Sequence, residues 1–334
     1  MKLRMTGTAL AAVSLAAAAL AGCGSPGPSA SDVTLSEVAG GTGYWTVSRL
    51  LGATPWQAGR LATAQTPGAR MIPAAARVGA LFLHDASGDH FCTASVVASP
   101  GRDLLVTAAH CINGGPHGGA RGDIVFIPGY RDGKAPHGIW TPARLVVAKG
   151  WASAADPDLD VGFVVLKPYH GRSIQRVLGA DTLTIDPGYR NLVRVTGYPA
   201  SRDRPITCRN WTSRKSATQL RFDCDGFTGG TSGSPWITGF NPATGTGRIV
   251  GVLGGYQQGG DTAGISYSAY LGPAIKRLYH RATALPLPGS GPDLLTLLVA
   301  IGALARSRWL ACRAVACAGV RWCPGGRWCA VPRD

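Results

Sequence analysis

Short apolar runs of strand length recur from Val78 onward, and this pattern constrains the fold more than any other feature of the sequence. The runs cover residues 80–83, 95–98, 104–106, 124–127, 161–166, 192–195, 248–253 and 264–267. Runs of this kind, separated by turn residues and spaced by about 8–12 residues or more, are typical of an all-β barrel or sandwich. The 47 glycines and 23 prolines agree with many short strands joined by turns, and they argue against a helical bundle.

A helix is predicted at the end of this region, over Pro273–Ala284. Pro273 suits the first helical turn, where its missing N–H costs no hydrogen bond. Ile275, Leu278 and Tyr279 then share one face at helical spacing. The apolar content of 45% allows a sizeable core, which excludes a wholly disordered chain. Outside the leader there is no apolar run of about 18 residues, so a multi-span membrane protein is also excluded.

The net charge of +15 does not indicate a nucleic-acid-binding protein, because of where the basic residues lie. Six Arg and one Asp fall within residues 305–334, and Lys2 and Arg4 lie at the amino terminus. The other basic residues are scattered and form no stripe interleaved with aromatic side chains, as a nucleic-acid-binding face would require. We therefore expect no nucleic-acid partner.

Residues 1–23 have the features of an export signal. Lys2 and Arg4 precede an apolar stretch of signal-peptide length over residues 9–20. The next residues, Leu-Ala-Gly-Cys ending at Cys23, resemble the lipobox of bacterial lipoproteins, which implies cleavage before Cys23 and a lipid anchor on it. The alternative is an ordinary cleavable signal with Cys23 near the cut. Either interpretation predicts an extracellular location, or one on the outer face of the membrane, where disulfides persist.

Composition divides the rest of the chain into three parts. Residues 24–72 are rich in Gly, Ala, Ser, Thr and Pro, which indicates a linker or propeptide, although Trp45 and residues 56–61 suggest a short ordered piece. Residues 73–285 carry the strand pattern and form the predicted folded domain. Residues 286–334 are a basic tail rich in Cys, Trp and Arg without helix or strand periodicity, so low order is expected there. A disulfide-stapled cell-wall appendage is the alternative for this tail, since its cysteines lack the close pairs of a zinc module.

Three short strings in the folded domain carry the residue types of acyl-transfer chemistry. They are LVTAAHC at 105–111, DLDVGFVVL at 158–166 and TGGTSGSP at 228–235. They place His110, Asp160 and Ser232 in that order along the chain. Acyl transfer to a serine hydroxyl needs a base that is poised near neutral pH and a buried carboxylate that holds the tautomer of that base. The three strings together predict such a site.

Each residue type also has an ordinary structural explanation. The histidine alone could be a buried, hydrogen-bonded core residue, and the serine could be one more hydroxyl in a glycine-rich turn. Asp156 and Asp158 compete with Asp160 for the role of the carboxylate. We favour Asp160 because it directly precedes the apolar strand, which would carry it into the interior. Ser234 lies two residues after Ser232 and is the competing hydroxyl.

The three strings resemble those of the chymotrypsin/trypsin-like serine peptidases, most closely the bacterial branch of glutamyl endopeptidases and secreted actinobacterial relatives. TAAHC resembles the family's histidine motif, DLDVGFVVL its aspartate strand and GGTSGSP its nucleophile loop, which ends at Pro235. The resemblance covers residues 78–284 and implies an all-β fold of two six-stranded antiparallel barrels with a C-terminal helix. It further implies that His110 is general base and then general acid, that Asp160 orients it, and that Ser232 forms an acyl-enzyme.

The glycines of the serine loop fit a sharp backbone turn. Gly229, Gly230 and Gly233 carry no side chain, so a positive φ would cost little at these positions. By the geometry of the family, the backbone N–H groups of Gly230 and Ser232 would point at the oxyanion that develops during the reaction.

The resemblance also implies two disulfides. Cys92 and Cys111 would fasten the histidine segment to a neighbouring strand, and FCTAS at 91–95 looks like the family's string around the first of these cysteines. Cys208 and Cys224 would brace the segment ahead of the serine loop. The alternative is that these cysteines are free buried thiols.

The sequence departs from the family at positions that control activation and specificity. Thr231 stands where trypsin-like zymogens have an aspartate that pairs with a new amino terminus, so activation by that salt bridge is not expected. Gly226 stands where trypsin-type enzymes carry an acidic selector, with Asp225 one residue away. Near residues 252–255 glutamyl endopeptidases place a histidine, and this chain has Leu253. Glutamate specificity is therefore not expected, and a basic or an apolar preference stays open.

Taken together, the sequence predicts an exported serine endopeptidase that acts as a monomer on protein or peptide substrates. The 7 histidines form no H-x-x-x-H or H-x-H pattern, so neither a metal nor an organic cofactor is expected. The alternative from a different class is a catalytically degenerate cell-surface binding module on the same fold. A third interpretation is an envelope structural protein that acts through its basic tail.

Overall fold

The computed structural model describes residues 32–38, 42–56, 67–73, 75–200 and 203–284, and the backbone of Val320–Cys323 and Arg327–Ala330. The predicted leader with Cys23, and most of the predicted tail, lie outside the described residues. Within the part of the chain that the structure describes, no helix is both long enough and apolar enough to cross a bilayer.

Strands account for most of the regular structure. In chain order they are β1 (Val33–Glu37), β2 (Thr54–Pro55), β3 (Arg70–Met71), β4 (Val78–Asp85), β5 (Gly88–Val97), β6 (Leu104–Thr107), β7 (Gly122–Pro128), β8 (Pro142–Ala148), β9 (Gly162–Leu166), β10 (Thr182–Leu183), β11 (Leu192–Gly197), β12 (Ile206–Arg214), β13 (Gln219–Asp223), β14 (Pro235–Asn241), β15 (Thr246–Val252), β16 (Ile265–Ala269), β17 (Val320–Cys323) and β18 (Arg327–Ala330). The α-helices are α1 (Val47–Gly52), α2 (Ala109–Ile112), α3 (Lys149–Ala154), α4 (Ile174–Leu178) and α5 (Pro273–Ala284). Short 3₁₀ helices cover Thr42–Tyr44, Gly115–His117, Pro157–Leu159 and Tyr256–Gly259.

The first barrel is built from β4 to β9. Its strand order is β8-β9-β6-β5-β4-β7, with antiparallel neighbours throughout. The ring closes where Phe126 of β7 and Trp140, just before β8, exchange two backbone hydrogen bonds of 2.8 and 2.9 Å. Alternate residues of β4 point to opposite faces, so Leu81 packs in the barrel interior while Phe82 packs outside it with Trp45. This strand is therefore buried on both faces.

The second barrel is built from β11 to β16. Its order is β15-β14-β11-β12-β13-β16, again antiparallel. The Gly254 N–H, just after β15, donates to the Tyr267 carbonyl of β16 at 3.0 Å and joins the two ends. Val195, Phe222 and Trp236 are fully buried in its interior. The two predicted six-stranded antiparallel barrels are thus confirmed.

Helix α5 closes the junction between the barrels. A continuous apolar cluster contains Phe163 of the first barrel, Ile249 of the second, and Ile275 and Leu278 of the helix. The Tyr279 hydroxyl donates to the Ala98 carbonyl at 2.7 Å. The predicted helix over Pro273–Ala284 is confirmed with the same bounds.

The segment predicted as a linker or propeptide adds three short strands to the barrels. β1 pairs with β8 and β3 pairs with β12, both antiparallel, while β2 pairs with β5 in parallel. In the tail, β17 and β18 form an antiparallel hairpin. The domain boundaries drawn from the sequence stay predictions.

Candidate active site

His110 lies in the short helix α2, directly after β6, and only 2% of it is exposed. Its neighbour Cys111 forms a disulfide with Cys92 of β5, as the resemblance implied. Arg121 Nε donates to the His110 carbonyl at 3.2 Å, and the Trp151 ring lies beside the imidazole with its centroid 6.3 Å away. These contacts fix the backbone of the histidine and cover one side of its ring.

Asp160 links the 3₁₀ helix Pro157–Leu159 to β9 and is fully buried. Its Oδ2 accepts from His110 Nδ1 at 2.8 Å, and its Oδ1 accepts from the His110 backbone N–H at 2.9 Å. The Gly255 N–H donates to Oδ2 at 2.8 Å. Because a carboxylate oxygen can only accept, we assign a proton to His110 Nδ1. In the neutral ring Nε2 is then the free base.

The two competing carboxylates do not reach the imidazole. Asp156 accepts from the Asp158 N–H at 3.0 Å and caps the 3₁₀ helix. Asp158 accepts from Gln219 Nε2 at 2.8 Å. Of the three aspartates, the structure brings Asp160 to His110, because it alone is carried inward at the start of the apolar strand.

Ser232 lies in the loop between β13 and β14 and is fully buried. Its carbonyl accepts from the Thr93 N–H at 2.7 Å, and the Thr93 carbonyl in turn accepts from the Thr107 hydroxyl at 2.8 Å. Thr107 ends β6, three residues before His110. This chain of bonds holds the serine loop of the second barrel against the histidine segment of the first barrel.

The hydroxyl of Ser232 and the Nε2 atom of His110 are both buried, and neither has a hydrogen-bond partner among the described residues. They do not bond to each other in this structure. Buried polar atoms are hydrogen-bonded in most folded proteins, so both atoms are free to take a partner that the described residues do not supply. This arrangement can accept a proton at Nε2 and supply a nucleophile at Oγ.

The serine loop needs glycine at two positions. Gly230 and Gly233 have φ of 86° and 87°, a region that favours glycine, whereas Gly229 does not take a positive φ. A Cβ on Gly233 would overlap the Thr93 carbonyl oxygen and the Thr107 hydroxyl. The N–H of Gly230, predicted as an oxyanion donor, is bonded to the Trp56 carbonyl at 2.9 Å.

The second implied disulfide, Cys208–Cys224, is also present and ties β12 to the end of β13. The Cys92–Cys111 disulfide also bears on metal binding. Cys92, His110 and Cys111 are the described residues grouped closely enough to ligate a metal ion. Both sulfurs are in a disulfide, so this group offers no thiolate ligand.

The specificity positions carry a buried leucine and a carboxylate whose Oδ1, on Asp225, is buried without a hydrogen-bond partner among the described residues. Leu253 is fully buried in the core of the second barrel together with Phe227. Asp225 exchanges backbone hydrogen bonds of 2.8 Å with Pro67 and Ala69. The Thr231 hydroxyl donates to the Thr228 carbonyl at 2.6 Å, so the zymogen position is satisfied inside its own loop.

A partly buried ion pair lies next to His110. Arg121 donates to Asp85 and is about nine-tenths buried. Burial lowers the pKa of Arg121, and the charge of Asp85 opposes that change. Burial would raise the pKa of Asp85, but the Ser87 hydrogen bonds and the charges of Arg121 and His90 outweigh it and lower the pKa. Both partners are therefore charged at neutral pH.

Sequence reasoning missed three contributors to the site. The Gly255 N–H that holds Asp160 and the Trp56 carbonyl at Gly230 are backbone groups, which no side-chain pattern reveals. Arg121 carries no motif, and its position beside the histidine depends on the turn that precedes β7. The sequence did give one indication of these contacts, because Trp56 begins the segment that was expected to form a short ordered piece.

Two antiparallel barrels with a His–Asp pair and a glycine-rich serine loop at their junction define the chymotrypsin-like class of proteins. A family model described as a trypsin-like peptidase domain matches residues 92–268, which is more than half of the chain. The chain belongs to the trypsin-like peptidase family.

Solved structures share this fold. The protease Anisep from Arthrobacter nicotinovorans is 24% identical with a TM-score of 0.59, over 65% of this chain and 100% of that one. A thermostable serine protease, AL20, from an extremophilic microorganism is 27% identical with a TM-score of 0.58, over 64% of this chain and 99% of that one. A Glu endopeptidase in complex with MPD shares the fold at 15% identity and a TM-score of 0.54, over 66% and 99%. A comparison with curated proteins finds no match.

Proposed function

We propose that this protein is a serine endopeptidase in which His110, Asp160 and Ser232 act as a catalytic triad. The observation that carries the proposal is the buried His110–Asp160 pair, which leaves Nε2 free, together with the unpartnered Ser232 hydroxyl on a loop that is bonded through Thr93 to the end of β6 just before His110. Membership of a peptidase family supports a protein or peptide substrate.

The chemistry follows from these atoms. His110 Nε2 takes the proton of the Ser232 hydroxyl as Oγ attacks the scissile carbonyl carbon. Asp160 keeps the Nδ1 proton in place and stabilises the imidazolium that forms. The oxyanion of the tetrahedral intermediate is bound by the N–H groups of Gly230 and Ser232. The C–N bond then breaks, and His110 gives its proton to the leaving amine.

A water molecule completes the cycle. His110 Nε2 takes a proton from it as it attacks the acyl-enzyme ester, and the proton returns to Ser232 when the acid product leaves.

Covalent labelling with a fluorophosphonate probe tests the proposal, because the probe reacts with a serine that a neighbouring base activates. The full chain, incubated to completion, is expected to take up one equivalent of probe, and Ser232→Ala none. Hydrolysis of casein is expected to fall by a factor on the order of 10⁶ in the same variant. Ser234→Ala is the matched control, since its hydroxyl is also buried without a partner in the described residues.

The outcome separates two classes of function. Probe uptake by Ser234→Ala and not by Ser232→Ala supports the peptidase. Equal uptake by Ser232→Ala and the natural chain contradicts the nucleophile assignment. A folded chain that neither labels nor cleaves is instead a binding module on a peptidase fold.

We also propose that the peptidase is exported and anchored by lipid on Cys23. The basic and apolar leader and the Leu-Ala-Gly-Cys string support this, and so do the two disulfides, which persist in oxidising compartments. Cys23→Ala is expected to shift the protein from the membrane fraction to the soluble fraction. An unchanged membrane fraction contradicts the anchor.

A further inference from the structure

Residues 54–56 lie between β5 of the first barrel and the serine loop of the second, and they contact both. β2 pairs in parallel with β5, with Thr54 opposite His90 and Pro55 opposite Phe91. The Trp56 N–H then donates to the Phe91 carbonyl at 2.9 Å. Its own carbonyl accepts from the Gly230 N–H at 2.9 Å. This short segment therefore bridges the first barrel and the serine loop of the second.

The Trp56 side chain is held between Arg121 and His90. The Arg121 guanidinium lies 3.7 Å from the centroid of the indole ring, and the His90 ring meets it edge-on at 5.2 Å. Arg121 is itself held by Asp85 and by the carbonyl of His110. A guanidinium over a tryptophan face is an attractive contact, and here it ties the segment to the histidine segment of the site.

The bond to Gly230 has a direct consequence for the reaction. One backbone N–H donates fully to one acceptor, so a substrate carbonyl can use the Gly230 donor only after the Trp56 carbonyl has left. With residues 54–56 in place, Ser232 is fully buried and His110 is 2% exposed. We propose that residues 54–56 are an autoinhibitory segment, the 54–56 strap, which occupies the oxyanion donor and blocks the cleft. This inference rests on the proposed peptidase function.

The strap binds as an inhibitor rather than as a substrate. Within the described residues, the Ser232 N–H donates no backbone hydrogen bond, so the Trp56 carbonyl uses one of the two proposed oxyanion donors. Attack by Oγ requires the carbonyl oxygen to sit where preorganised donors stabilise the developing charge. The Trp56–Gln57 bond is therefore expected to stay intact while the strap is bound.

The rate of fluorophosphonate labelling of the full chain tests the strap. Trp56→Ala removes the ring that Arg121 clamps, and Trp56→Pro removes the N–H that bonds to Phe91, so the two variants release the segment in different ways. Both are expected to label at least ten times faster than the natural chain. Trp211→Ala is the matched control, because Trp211 also lies under an arginine, Arg190, but is 47% exposed on β12. It is expected to label at the natural rate.

The possible outcomes distinguish a failure of the strap proposal from a failure of the proposed peptidase function. Faster labelling in either Trp56 variant, with Trp211→Ala unchanged, supports the strap. Equally fast labelling of the natural chain and both Trp56 variants overturns the strap and leaves the peptidase standing. No labelling of any folded chain overturns both. Cleavage between Trp56 and Gln57, seen by mass spectrometry in the natural chain and lost in Ser232→Ala, overturns the inhibitor assignment and supports the peptidase.

Discussion

At the residue scale, the orientation of His110 depends on Asp160. The carboxylate is fully buried and accepts three N–H bonds, two from His110 and one from Gly255. A buried charge is tolerated when its oxygens are hydrogen-bonded in this way. The same bonds leave the imidazole one orientation, with Nε2 turned away from the carboxylate.

The first prediction concerns the charge of Asp160. Asp160→Asn nearly preserves the shape of the side chain. The amide can turn either its oxygen or its NH₂ group toward His110 Nδ1, so the imidazole is no longer required to carry its proton on Nδ1. The tautomer with the proton on Nε2 cannot act as a base. We expect kcat on a peptide substrate to fall by about 10⁴, with an unchanged circular dichroism spectrum.

Asp158→Asn is the matched control for this experiment. It removes a carboxylate two residues away that accepts from Gln219, outside the histidine contact. It is expected to change kcat by less than a factor of three. A similar loss in both variants would contradict the assignment of Asp160 and point to a general effect of charge on the loop.

Candidate side chains for this site could be chosen from the sequence because the proposed chemistry requires particular residue types. Asp160 could be chosen over Asp158 because it directly precedes an apolar strand, which indicates burial. The bond from Gly230 to Trp56 could not be predicted, since both atoms belong to the backbone and their residues lie far apart in the chain. Such a contact depends on the tertiary fold and not on residue type.

At the element scale, strands with apolar runs were predictable and those held only by backbone pairing were not. The run at 104–106 lies in β6, which is buried along its whole length. β12, by contrast, exposes Arg209 and Trp211 and buries mainly its first three residues. Its stability comes from pairing with strands on both sides, so it shows no clean alternation. The two-residue strands β2 and β3 are too short to show any pattern.

The two disulfides give the second prediction, because they brace different elements. Cys92–Cys111 joins β5 to the helix that carries His110, with a sequence separation of 19. Replacing both cysteines by alanine is expected to lower the free energy of unfolding by about 3 kcal/mol in the chain-entropy model. It is also expected to slow fluorophosphonate labelling at least tenfold, because Cys111, the residue next to His110, is no longer tied to β5. Urea unfolding and labelling rates measure the two effects.

The second disulfide serves as the comparison. Cys208–Cys224 has a similar separation of 16, but it joins β12 to the end of β13 within the second barrel and forms no link to the segment that carries His110. Its double alanine variant is expected to lose a similar amount of stability and to label within a factor of three of the natural rate. If the two double variants slow labelling equally, the first disulfide has no particular role in placing His110.

At the scale of the whole molecule, the two barrels are joined by an apolar cluster and by a few buried polar contacts. Asp181 is one of these and is 1% exposed. Its backbone bonds to Val96 and Ala98 of the first barrel, at 3.2 and 2.8 Å. Its Oδ1 accepts from the Gly247 N–H in β15 at 2.6 Å. Asp181 thus connects both barrels, through its backbone to the first and through its carboxylate to the second.

Asp181 gives the last prediction, which concerns the dependence of stability on pH. Burial raises its pKa to about 6, against the opposing effects of the Gly247 bond and the charge of Arg77. Between about pH 4 and 6 the folded chain therefore holds a proton that the unfolded chain has released, so stability falls as the pH rises through this range. Asp181→Asn keeps an acceptor for Gly247 and stays neutral. Its stability relative to the natural chain is expected to rise from pH 4 to pH 7, by up to about 3 kcal/mol.

Urea unfolding at a series of pH values measures this difference. Asp261→Asn, at an exposed position of the second barrel, controls for the change in net charge and is expected to run parallel to the natural chain. Parallel curves for Asp181→Asn would show that the carboxylate is solvated or compensated at neutral pH. A rising difference would show instead that the junction of the barrels retains a buried acid at the expense of stability, because its oxygen holds β15 against the first barrel.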